Sequence, residues 1–407
     1  LAWGKFKSGE APAHIVDEHY YRPPAWFLAQ ADRYDGYDRK APKVFAGEFA
    51  AHRPDRKSSI DAAVCEAAFM TGLLRNSDVV VMTSYAPLFA RDGFTQWTPD
   101  LIWFDATRTM PTPSYHVQAM YGQNRPDRIL PMVMETKGDE PAPSGRIGVG
   151  TWHTQAGLKD LEVEQGDKVL YRSVDVAPGG WTYESGEWEE AAGALRQKSG
   201  DEPAVALAGD PSWTDVTLTL KARKTGGDEG FLILFQASAN DEKYWWNIGG
   251  WGNTSHALEL PGFTSPHVPG KIETGRWYDI RIETRGAEVA CFLDNVEIHR
   301  AKRPPMRRVY AVAGVDDRAG EIILHLSNAS GAPAPVVAAL KGWKAAGEAR
   351  SSVLTSADRS DINTLAEPTR VAPAPAKLRV QDDAVHCTLP PWSHTVIRVP
   401  GKTRGLF

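Results

Sequence analysis

Cysteine is scarce in this chain, and the few cysteines that occur are isolated. The 407 residues include 3 cysteines, Cys65, Cys291 and Cys387, which lie far apart in the sequence. This number and spacing support neither a disulfide framework nor a paired-cysteine metal site, so we expect reduced and mostly buried thiols. The acidic residues also match the spacing of no calcium-binding loop. We therefore expect no metal ion and no cofactor.

Long apolar runs and a dominant charge are also missing. No stretch of about 18 apolar residues occurs, so we expect no membrane-spanning helix and no membrane partner. The formal net charge is -5, which gives no signature of nucleic-acid binding. The chain starts at Leu1 without an initiating methionine or a signal-peptide pattern, and we expect further polypeptide to precede it.

Tryptophan, in contrast, is abundant. The chain has 14 tryptophans, whose flat apolar faces suit the stacking of sugar rings, although most tryptophans in proteins are core residues. Hydrophobic residues make up 42% of the chain and charged residues 24%, so sizeable cores can form. The length predicts two to four compact units.

Strands and helices alternate over roughly the first hundred residues. Apolar runs that end in polar or aromatic residues predict strands at residues 15–22, 43–50 and 79–82. After a loop at Pro23-Pro24, helical spacing predicts helices at residues 26–39 and 60–75, the second with Ser59 as N-cap. This order predicts a parallel sheet with right-handed crossovers. A closed barrel would need eight such strands.

The strand at residues 43–50 carries one acidic side chain, Glu48, immediately after Gly47. A carboxylate at the end of a buried strand is costly unless it is used, and in parallel barrels the strand ends line the active site. Glu48 is therefore a candidate catalytic residue. The alternative is a structural ion pair with a nearby arginine or lysine.

Beyond a helix at about residues 114–121, the pattern becomes that of β-structure. Short alternating runs from residue 148 to about residue 303 predict a β-sandwich. Asp294-Asn295, between two of these runs, predicts a tight hairpin. A second all-β unit follows, from about residue 305 to the end of the chain.

One stretch of the first sandwich, residues 244–253, is rich in aromatic and amide side chains. Trp245, Trp246, Trp251 and Asn253 are candidates for binding glycans, because they combine stacking surfaces with hydrogen-bonding groups. Neighbouring residues on a strand point to opposite faces, so Trp245 and Trp246 cannot both be exposed. The alternative is that this sandwich, whose pattern resembles concanavalin-like or laminin-G-like domains, is only a spacer.

Several longer motifs, taken together in order, resemble glycoside hydrolase family 51, the α-L-arabinofuranosidases. The resemblance covers roughly the first 127 and the last 100 residues. The motifs that carry it lie at residues 17–21, 45–50, 66–72, 75–80, 84–89, 99–105, 363–368, 371–373 and 389–393. The resemblance implies a retaining glycosidase on a (β/α)8 barrel, with a nucleophilic glutamate on strand 7 and an acid/base glutamate in an Asn-Glu pair on strand 4.

The resemblance also assigns roles to individual residues. Glu48 matches the nucleophile, and His19 with Tyr20 or Tyr21 matches the strand 6 residues that hold the nucleophile and contact the sugar. Gln96 and Trp97 fall in the loop after strand 8, which reaches the arabinose. No Asn-Glu dipeptide occurs in this chain. We therefore expect the acid/base on a preceding polypeptide, whether a separate chain, a cleavage product or an omitted segment, and expect this chain alone to be inactive.

The predicted fold class is multidomain, with the C-terminal part of a TIM barrel (strands 6 to 8) followed by two all-β sandwiches. The predicted domains are residues 1–127 for the barrel part, 128–147 for a connecting segment, 148–304 for the concanavalin/laminin-G-like sandwich and 305–407 for the C-terminal sandwich.

The predicted function is the release of terminal arabinofuranose from arabinan, arabinoxylan or related plant glycans. From this substrate we expect a secreted or periplasmic enzyme, and the resemblance suggests a homo-oligomer. The alternatives are an endoglucanase or xylosidase on the same scaffold, and a non-catalytic carbohydrate-binding protein.

Overall fold

The computed structural model describes residues 2–3, 14–135, 144–173, 180–191, 194–200, 203–237, 244–260, 263–303 and 307–403. The chain divides into two compact units, one formed by Leu1–Gly138 with Met306–Phe407 and the other by Asp139–Pro305. Within the described residues, no helix has the length and apolarity needed to cross a membrane.

The first unit begins with a parallel sheet in the order β1-β2-β3-β4. The predicted parallel arrangement of strands joined by helices is thus confirmed. Two smaller elements follow, a sheet in the order β5-β6-β7 and a short strand, β8. The bounds are β1 (Ala2–Trp3), β2 (Ile15–Arg22), α1 (Pro24–Ala29), β3 (Lys43–Ala51), α2 (Ile60–Arg75), β4 (Val80–Tyr85), β5 (Phe89–Arg91), β6 (Ile102–Phe104), β7 (Thr109–Pro111), α3 (Pro113–Gln123) and β8 (Arg128–Ile129).

The second unit consists of two sheets that enclose one apolar core. One sheet has the order β13-β14-β10-β16-β22-β23-β24 with β11 on β10, and the other β12-β15-β9-β17-β18-β19-β20 with β21 on β19. Its strands are β9 (Arg146–Thr151), β10 (Thr154–Gln165), β11 (Lys168–Arg172), β12 (Thr182–Ser185), β13 (Trp188–Ala191), β14 (Ala194–Gln197), β15 (Ala204–Ala208), β16 (Thr217–Gly227), β17 (Phe231–Ala237), β18 (Tyr244–Gly249), β19 (Ser255–Leu260), β20 (Phe263–Thr264), β21 (Val268–Pro269), β22 (Trp277–Arg285), β23 (Glu288–Leu293) and β24 (Val296–Lys302).

The predicted hairpin of this unit is confirmed. Asp294 and Asn295 connect β23 to β24, which pair antiparallel, and both residues have positive φ, 49° and 65°. Two left-handed residues in a two-residue loop match the twist of the flanking strands, which explains the preference for Asp and Asn here.

The C-terminal strands complete the first unit. One sheet has the order β30-β29-β33-β26-β25-β8 with β28 on β33, and a smaller one has the order β27-β32-β31. The strands are β25 (Val309–Asp316), β26 (Glu321–Asn328), β27 (Ala334–Ala339), β28 (Trp343–Ala345), β29 (Arg350–Leu354), β30 (Ala374–Pro375), β31 (Arg379–Gln381), β32 (Ala384–Leu389) and β33 (Ser393–Thr403). Residues 1–127 and 305–407, predicted as separate domains, therefore lie in one compact unit in the structure.

Helix α2 is the centre of this unit. It has the predicted bounds, is buried from Ile60 to Leu73, and contacts β3 as well as β25, β26 and β33. Gly72 allows the close approach of the chain after α1, because a Cβ there would lie 1.8 Å from the carbonyl oxygen of Ala31. The parallel sheet is thus packed on a buried helix that also supports the C-terminal sheet.

Helix α1 is shorter than predicted. It ends at Ala29, and the following hydrogen bonds, such as Arg33 N to Gln30 O and Tyr37 N to Tyr34 O, join residues three apart. Successive turns therefore replace the predicted helical residues up to 39. Pro24, predicted to lie in a loop, is the first helical residue, a position at which its missing N–H costs nothing.

Candidate functional site

The candidate site lies where β2 and β3 run side by side. Their pairing shifts by one residue, so that Glu18 faces Ala46 whereas His19 faces Glu48, and Gly47 is left out of the register. The hydroxyl of Ser84, on β4, donates a hydrogen bond to the carbonyl oxygen of Gly47. This bulge brings Glu48 beside His19, and the hydrogen bond from Ser84 on β4 holds the bulge from the other side.

Two side chains of β2 contact the Glu48 carboxylate. The Tyr21 hydroxyl donates a hydrogen bond to Oε2 at 2.7 Å, and Nδ1 of His19 lies 3.3 Å from the same oxygen. The Glu48 side chain remains 41% exposed, so the carboxylate is held at the surface rather than enclosed. This arrangement can stabilise a carboxylate while leaving it accessible to a ligand.

Asp17 is a member of this cluster that the sequence did not single out. Its Oδ2 lies 3.3 Å from Nε2 of His19, so the imidazole stands between two carboxylates. Oδ1 of Asp17 is buried and has no hydrogen-bond partner among the described residues. A Cβ on residue 47 would lie 2.1 Å from this atom, which explains the glycine. The available signal was strand alternation, which places Asp17 on the same face as His19 and Tyr21.

Further groups surround Tyr21. Its ring stacks on His52, with ring centroids 5.1 Å apart. Burial raises the pKa of Tyr21, and its hydrogen bond to Glu48 and the charges of Glu48 and Asp100 raise it further, so the phenol remains a donor. Burial, reinforced by the charge of Arg56, lowers the pKa of His52 to about 4. Burial also raises the pKa of Asp100 to about 6.

Tyr20 does not belong to the site, which corrects its assignment as a sugar-contacting residue. It is 5% exposed, on the opposite face of β2 from His19 and Tyr21. Its hydroxyl contacts the Glu18 carboxylate and the Tyr34 hydroxyl, and Arg33 lies 3.2 Å from the same carboxylate. Burial, with smaller contributions from Tyr34 and Glu18, raises the pKa of Tyr20. This network is a partly buried polar support behind the strand.

Gln96 and Trp97 lie in the exposed loop between β5 and β6. Trp97 is 64% exposed, and the Thr95 hydroxyl donates to its carbonyl oxygen at 2.8 Å. Among the described residues, no hydrogen bond joins this loop to Glu48. Their role in binding sugar stays a prediction.

The candidate glycan-binding residues of the second unit have different environments. Trp246 is fully buried and donates to Nδ1 of His299 at 3.1 Å, so it is a core residue and not a ligand contact. Trp245 is half-buried and donates to Oε2 of Glu259 at 2.6 Å. Trp251, at 41% exposure, is the most accessible of the three.

Asn253 has a structural role in its turn, and its role in binding glycans stays a prediction. Its Oδ1 accepts from the backbone N–H of Ile272 at 2.7 Å, and its Nδ2 donates to the carbonyl oxygen of Ile272 at 2.9 Å. Both ends of the amide are thus used to hold the chain. For metals, the described part of the chain contains no group of three or more His, Cys, Asp or Glu side chains placed to hold an ion.

Fold and site together define a mostly-β, multi-sheet protein in which an accessible carboxylate on an inner strand of a parallel sheet is held by a tyrosine and a histidine. The family model of the α-L-arabinofuranosidase C-terminal domain matches residues 37–393. The chain belongs to this family.

Curated relatives carry the same family name. The chain is 38% identical over 403 residues to an extracellular exo-α-L-arabinofuranosidase of Streptomyces chartreusis, covering 96% of this chain and 48% of that protein. It is 36% identical over 127 residues to α-L-arabinofuranosidase 2 of Arabidopsis thaliana, covering 31% of this chain and 19% of the relative. The chain thus spans about half the length of the Streptomyces relative.

A solved structure of an arabinose-bound GH51 α-L-arabinofuranosidase aligns with a TM-score of 0.47 at 17% identity, covering 96% of this chain and 37% of that one.

Proposed function

We propose that this chain carries the nucleophile of a retaining α-L-arabinofuranosidase, which releases terminal non-reducing arabinofuranose from arabinan, arabinoxylan or related plant glycans. The observation that carries the proposal is the accessible Glu48 carboxylate, held by the Tyr21 hydroxyl and by His19 on the neighbouring parallel strand. Family membership and the name of the Streptomyces relative support the substrate class.

In the first step, Glu48 attacks the anomeric carbon of the arabinofuranosyl group. A bond forms between a carboxylate oxygen and this carbon, the glycosidic C–O bond breaks, and the acid/base residue protonates the departing oxygen. In the second step, water attacks the same carbon, the base takes its proton, and the ester bond to Glu48 breaks. Two displacements at one carbon retain its configuration.

The residues around Glu48 suit this role. Tyr21 and His19 both contact Oε2, so we assign the attack to the other oxygen, Oε1. Donors on Oε2 stabilise the carboxylate before attack and after release of the sugar. Because Tyr21 is a rigid aromatic donor stacked on His52, it holds the carboxylate in one orientation.

We place the acid/base on polypeptide that is not part of this sequence. The chain contains no Asn-Glu dipeptide, and it corresponds to about half of the Streptomyces relative. Strand β4 exposes Val81 and Met82, at 44% and 45%, which supports packing of further strands beside it. With a polymeric plant glycan as substrate, and an extracellular relative, the proposed enzyme acts outside the cytoplasm.

The test replaces Glu48 in the protein that includes the preceding segment. Glu48→Gln keeps the shape of the side chain but removes the attacking charge, so release of 4-nitrophenol from its α-L-arabinofuranoside should fall roughly 10³-fold or more. Glu367→Gln is the matched control, because Glu367 is a glutamate of the same unit whose side chain is 64% exposed, and it should keep full activity.

A second variant tests whether Glu48 acts as the nucleophile or as a general base. Glu48→Gly opens space for azide, which should restore turnover and yield an arabinosyl azide of inverted configuration, since only one displacement then occurs. Full activity of Glu48→Gln, or rescue without an azide adduct, would refute the assignment.

A further inference from the structure

The turn between β18 and β19 holds a tryptophan in an unusual backbone conformation. Gly249, Gly252 and Asn253 have φ of 70°, 69° and 60°, and Trp251 lies among them with φ 54° and ψ 51°. Glycine adopts this left-handed region freely and asparagine tolerates it, but a bulky side chain rarely does. Strained positions of this kind persist where the surrounding structure enforces them, and they cluster at binding sites.

The surroundings do enforce it. Asn253 is bonded through both amide atoms to the backbone of Ile272, and the N–H of Gly252 donates to Oε1 of Glu229 at 2.8 Å. The Thr254 hydroxyl donates to the carbonyl oxygen of Trp251 at 2.9 Å. The turn is thus fixed on both sides of Trp251, so the indole is presented by a rigid frame.

The indole is exposed rather than packed into the core. Trp251 is 41% exposed and leans on the ring of His267, with centroids 4.0 Å apart and planes at 47°. His267 is itself exposed, and its Nδ1 lies 3.1 Å from the hydroxyl of Ser255. The pair therefore forms a small, supported aromatic surface at the tip of the hairpin.

The chemistry of this surface fits a sugar better than a protein partner. Protein-binding patches are contiguous apolar areas of several hundred Å². Here the aromatic pair is bordered by polar groups, including the half-buried carboxylate of Glu229 and the exposed Thr254. A flat apolar face beside a hydrogen-bond acceptor matches a sugar ring, which has C–H groups on its face and hydroxyls at its edge.

We propose that Trp251 and His267 form a binding platform for a pyranose ring of a polysaccharide main chain, with Glu229 accepting a hydrogen bond from a sugar hydroxyl. A pyranose chair presents several C–H groups in one plane, which an indole covers, whereas a puckered furanose presents fewer. The platform would thus hold the main chain, while the side-branch furanose is the group cut. The link to a cut furanose and the choice of polysaccharide, a β-1,4-linked xylan, rest on the proposed function.

The experiment measures binding of linear xylohexaose by calorimetry to the whole protein carrying Glu48→Gln. Xylohexaose has no arabinofuranosyl group, so the proposed catalytic site does not compete for it. Adding Trp251→Gly should weaken binding at least tenfold. The melting temperature should not fall, because glycine adopts the left-handed conformation without strain. Tyr183→Ala is the matched control, since Tyr183 is a 42% exposed aromatic of the same unit, and it should leave binding unchanged.

Each alternative outcome overturns the proposal. Absence of xylohexaose binding, equal weakening by Tyr183→Ala, or binding of linear arabinan in its place would exclude the pyranose platform. A clear loss of thermal stability in Trp251→Gly would instead assign Trp251 a packing role. The binding assay uses the Glu48→Gln protein and needs no turnover, whereas the hydrolase test varies Glu48 with the platform intact, so failure of the platform and failure of the hydrolase proposal are distinguishable.

Discussion

At the scale of single residues, the row Asp17–His19–Glu48 gives the first prediction. Asp17 faces the ring nitrogen of His19 that is remote from Glu48, so its charge fixes the direction in which the imidazole points. Asp17→Asn preserves the volume but removes the charge. We expect kcat/KM on an aryl arabinofuranoside to fall about 10- to 100-fold, as for other residues that orient a functional histidine.

The measurement is a series of Michaelis curves across pH for the protein with its preceding segment. A positioning role predicts a fall in kcat with a changed pH profile and little change in KM. Asp38→Asn serves as control, because Asp38 is exposed and, among the contacts described, its side chain accepts a hydrogen bond from the backbone of Lys40 alone. An Asp17→Asn enzyme with the parent profile would contradict this role.

The same residues show how far the sequence could predict the site. The sequence motifs at residues 17–21 and 45–50 predict Glu48, His19 and Tyr21, because these residues lie on two strands that each contain one whole motif. Tyr20 was not separated from Tyr21, although strand alternation alone places neighbouring residues on opposite faces. The role of Asn253 could not be predicted, because its partner Ile272 lies 19 residues away and meets it only in the folded sandwich.

At the scale of elements, helix α2 carries a buried glutamate that the proposed mechanism does not use. Glu66 is fully buried and accepts a hydrogen bond from the N–H of Ala51, the last residue of β3, at 2.8 Å. Burial raises its pKa to about 7, with the Ala51 hydrogen bond partly opposing this shift. Because the folded state favours the protonated form, its contribution to stability is complete below about pH 4.5 and declines as the pH rises through 7.

Replacing this carboxyl by an amide should therefore stabilise the protein under alkaline conditions. At pH 8 the ionised Glu66 lowers the free energy of unfolding by about 3 kcal/mol, because its pKa rises from the ordinary value of a glutamate to about 7 on folding. Glu66→Gln keeps an acceptor for Ala51, so we expect the free energy of unfolding to rise by up to this amount at pH 8 and little at pH 4.5.

The measurement is denaturant unfolding at both pH values, and Glu321→Gln provides the contrast. Glu321 is also buried, at 5% exposure, but it is paired with Arg350 and Arg398. Removing its charge takes one of two carboxylate partners from the largely buried Arg398, which also pairs with Asp316, so this variant should be less stable than the parent at pH 8. Equal destabilisation by both substitutions would show that Glu66 needs its charge.

The two helices before the site differ in how well the sequence predicts them. α2 has apolar residues at most positions, with Ser59 before its first residue and Asn76 after its last, so its bounds are predictable. In the segment after α1, Asp32, Asp35 and Arg75 form ion pairs, and these tertiary contacts favour turns over the predicted helix. Local spacing could not reveal them.

At the scale of the whole molecule, the sequence predicts most strands but not their grouping. Residues 1–127 and 305–407 were predicted as separate domains, yet α2 packs on β25, β26 and β33 within one unit. Buried Asp61 binds both Arg53 and Arg359, which lie far apart in sequence. Contacts across several hundred residues leave no periodic pattern in either segment, so spacing alone could not predict them.

A buried pair of histidines, His325 and His394, connects the C-terminal segment to Asn124 of the first segment. The hydroxyl oxygen of Ser327, on β26, lies 2.9 Å from Nδ1 of His394. Nε2 of His394 lies 3.4 Å from Nδ1 of His325. Nε2 of His325 in turn lies 2.9 Å from the carbonyl oxygen of Asn124. With both rings neutral, one proton arrangement satisfies all three contacts: the Ser327 hydroxyl donates to His394, His394 donates to His325, and His325 donates to Asn124. Burial of both rings disfavours an added proton, because it would place a charge in this enclosed site.

This chain of neutral rings should make the unit sensitive to acid. Burial lowers the pKa of His325 to about 4, with the charge of Arg398 acting in the same direction, and burial also lowers the pKa of His394. The unfolded chain takes up these protons first, near pH 6.5, so stability is complete above that value and declines as the pH falls towards 4. For His325 alone the loss reaches about 3 kcal/mol.

Calorimetric unfolding from pH 7 to pH 4 tests this dependence with His325→Gln, whose amide can still donate to Asn124. We expect this variant to be less stable than the parent at pH 7, because the ring that stacks on Tyr121 is lost. Between pH 7 and pH 4, however, its free energy of unfolding should fall less than that of the parent. His386→Gln, at an exposed histidine of β32, should show the same dependence of stability on pH as the parent. If His325→Gln also showed the parent's dependence of stability on pH, the acid sensitivity would arise elsewhere, and the neutral histidine pair would not be its cause.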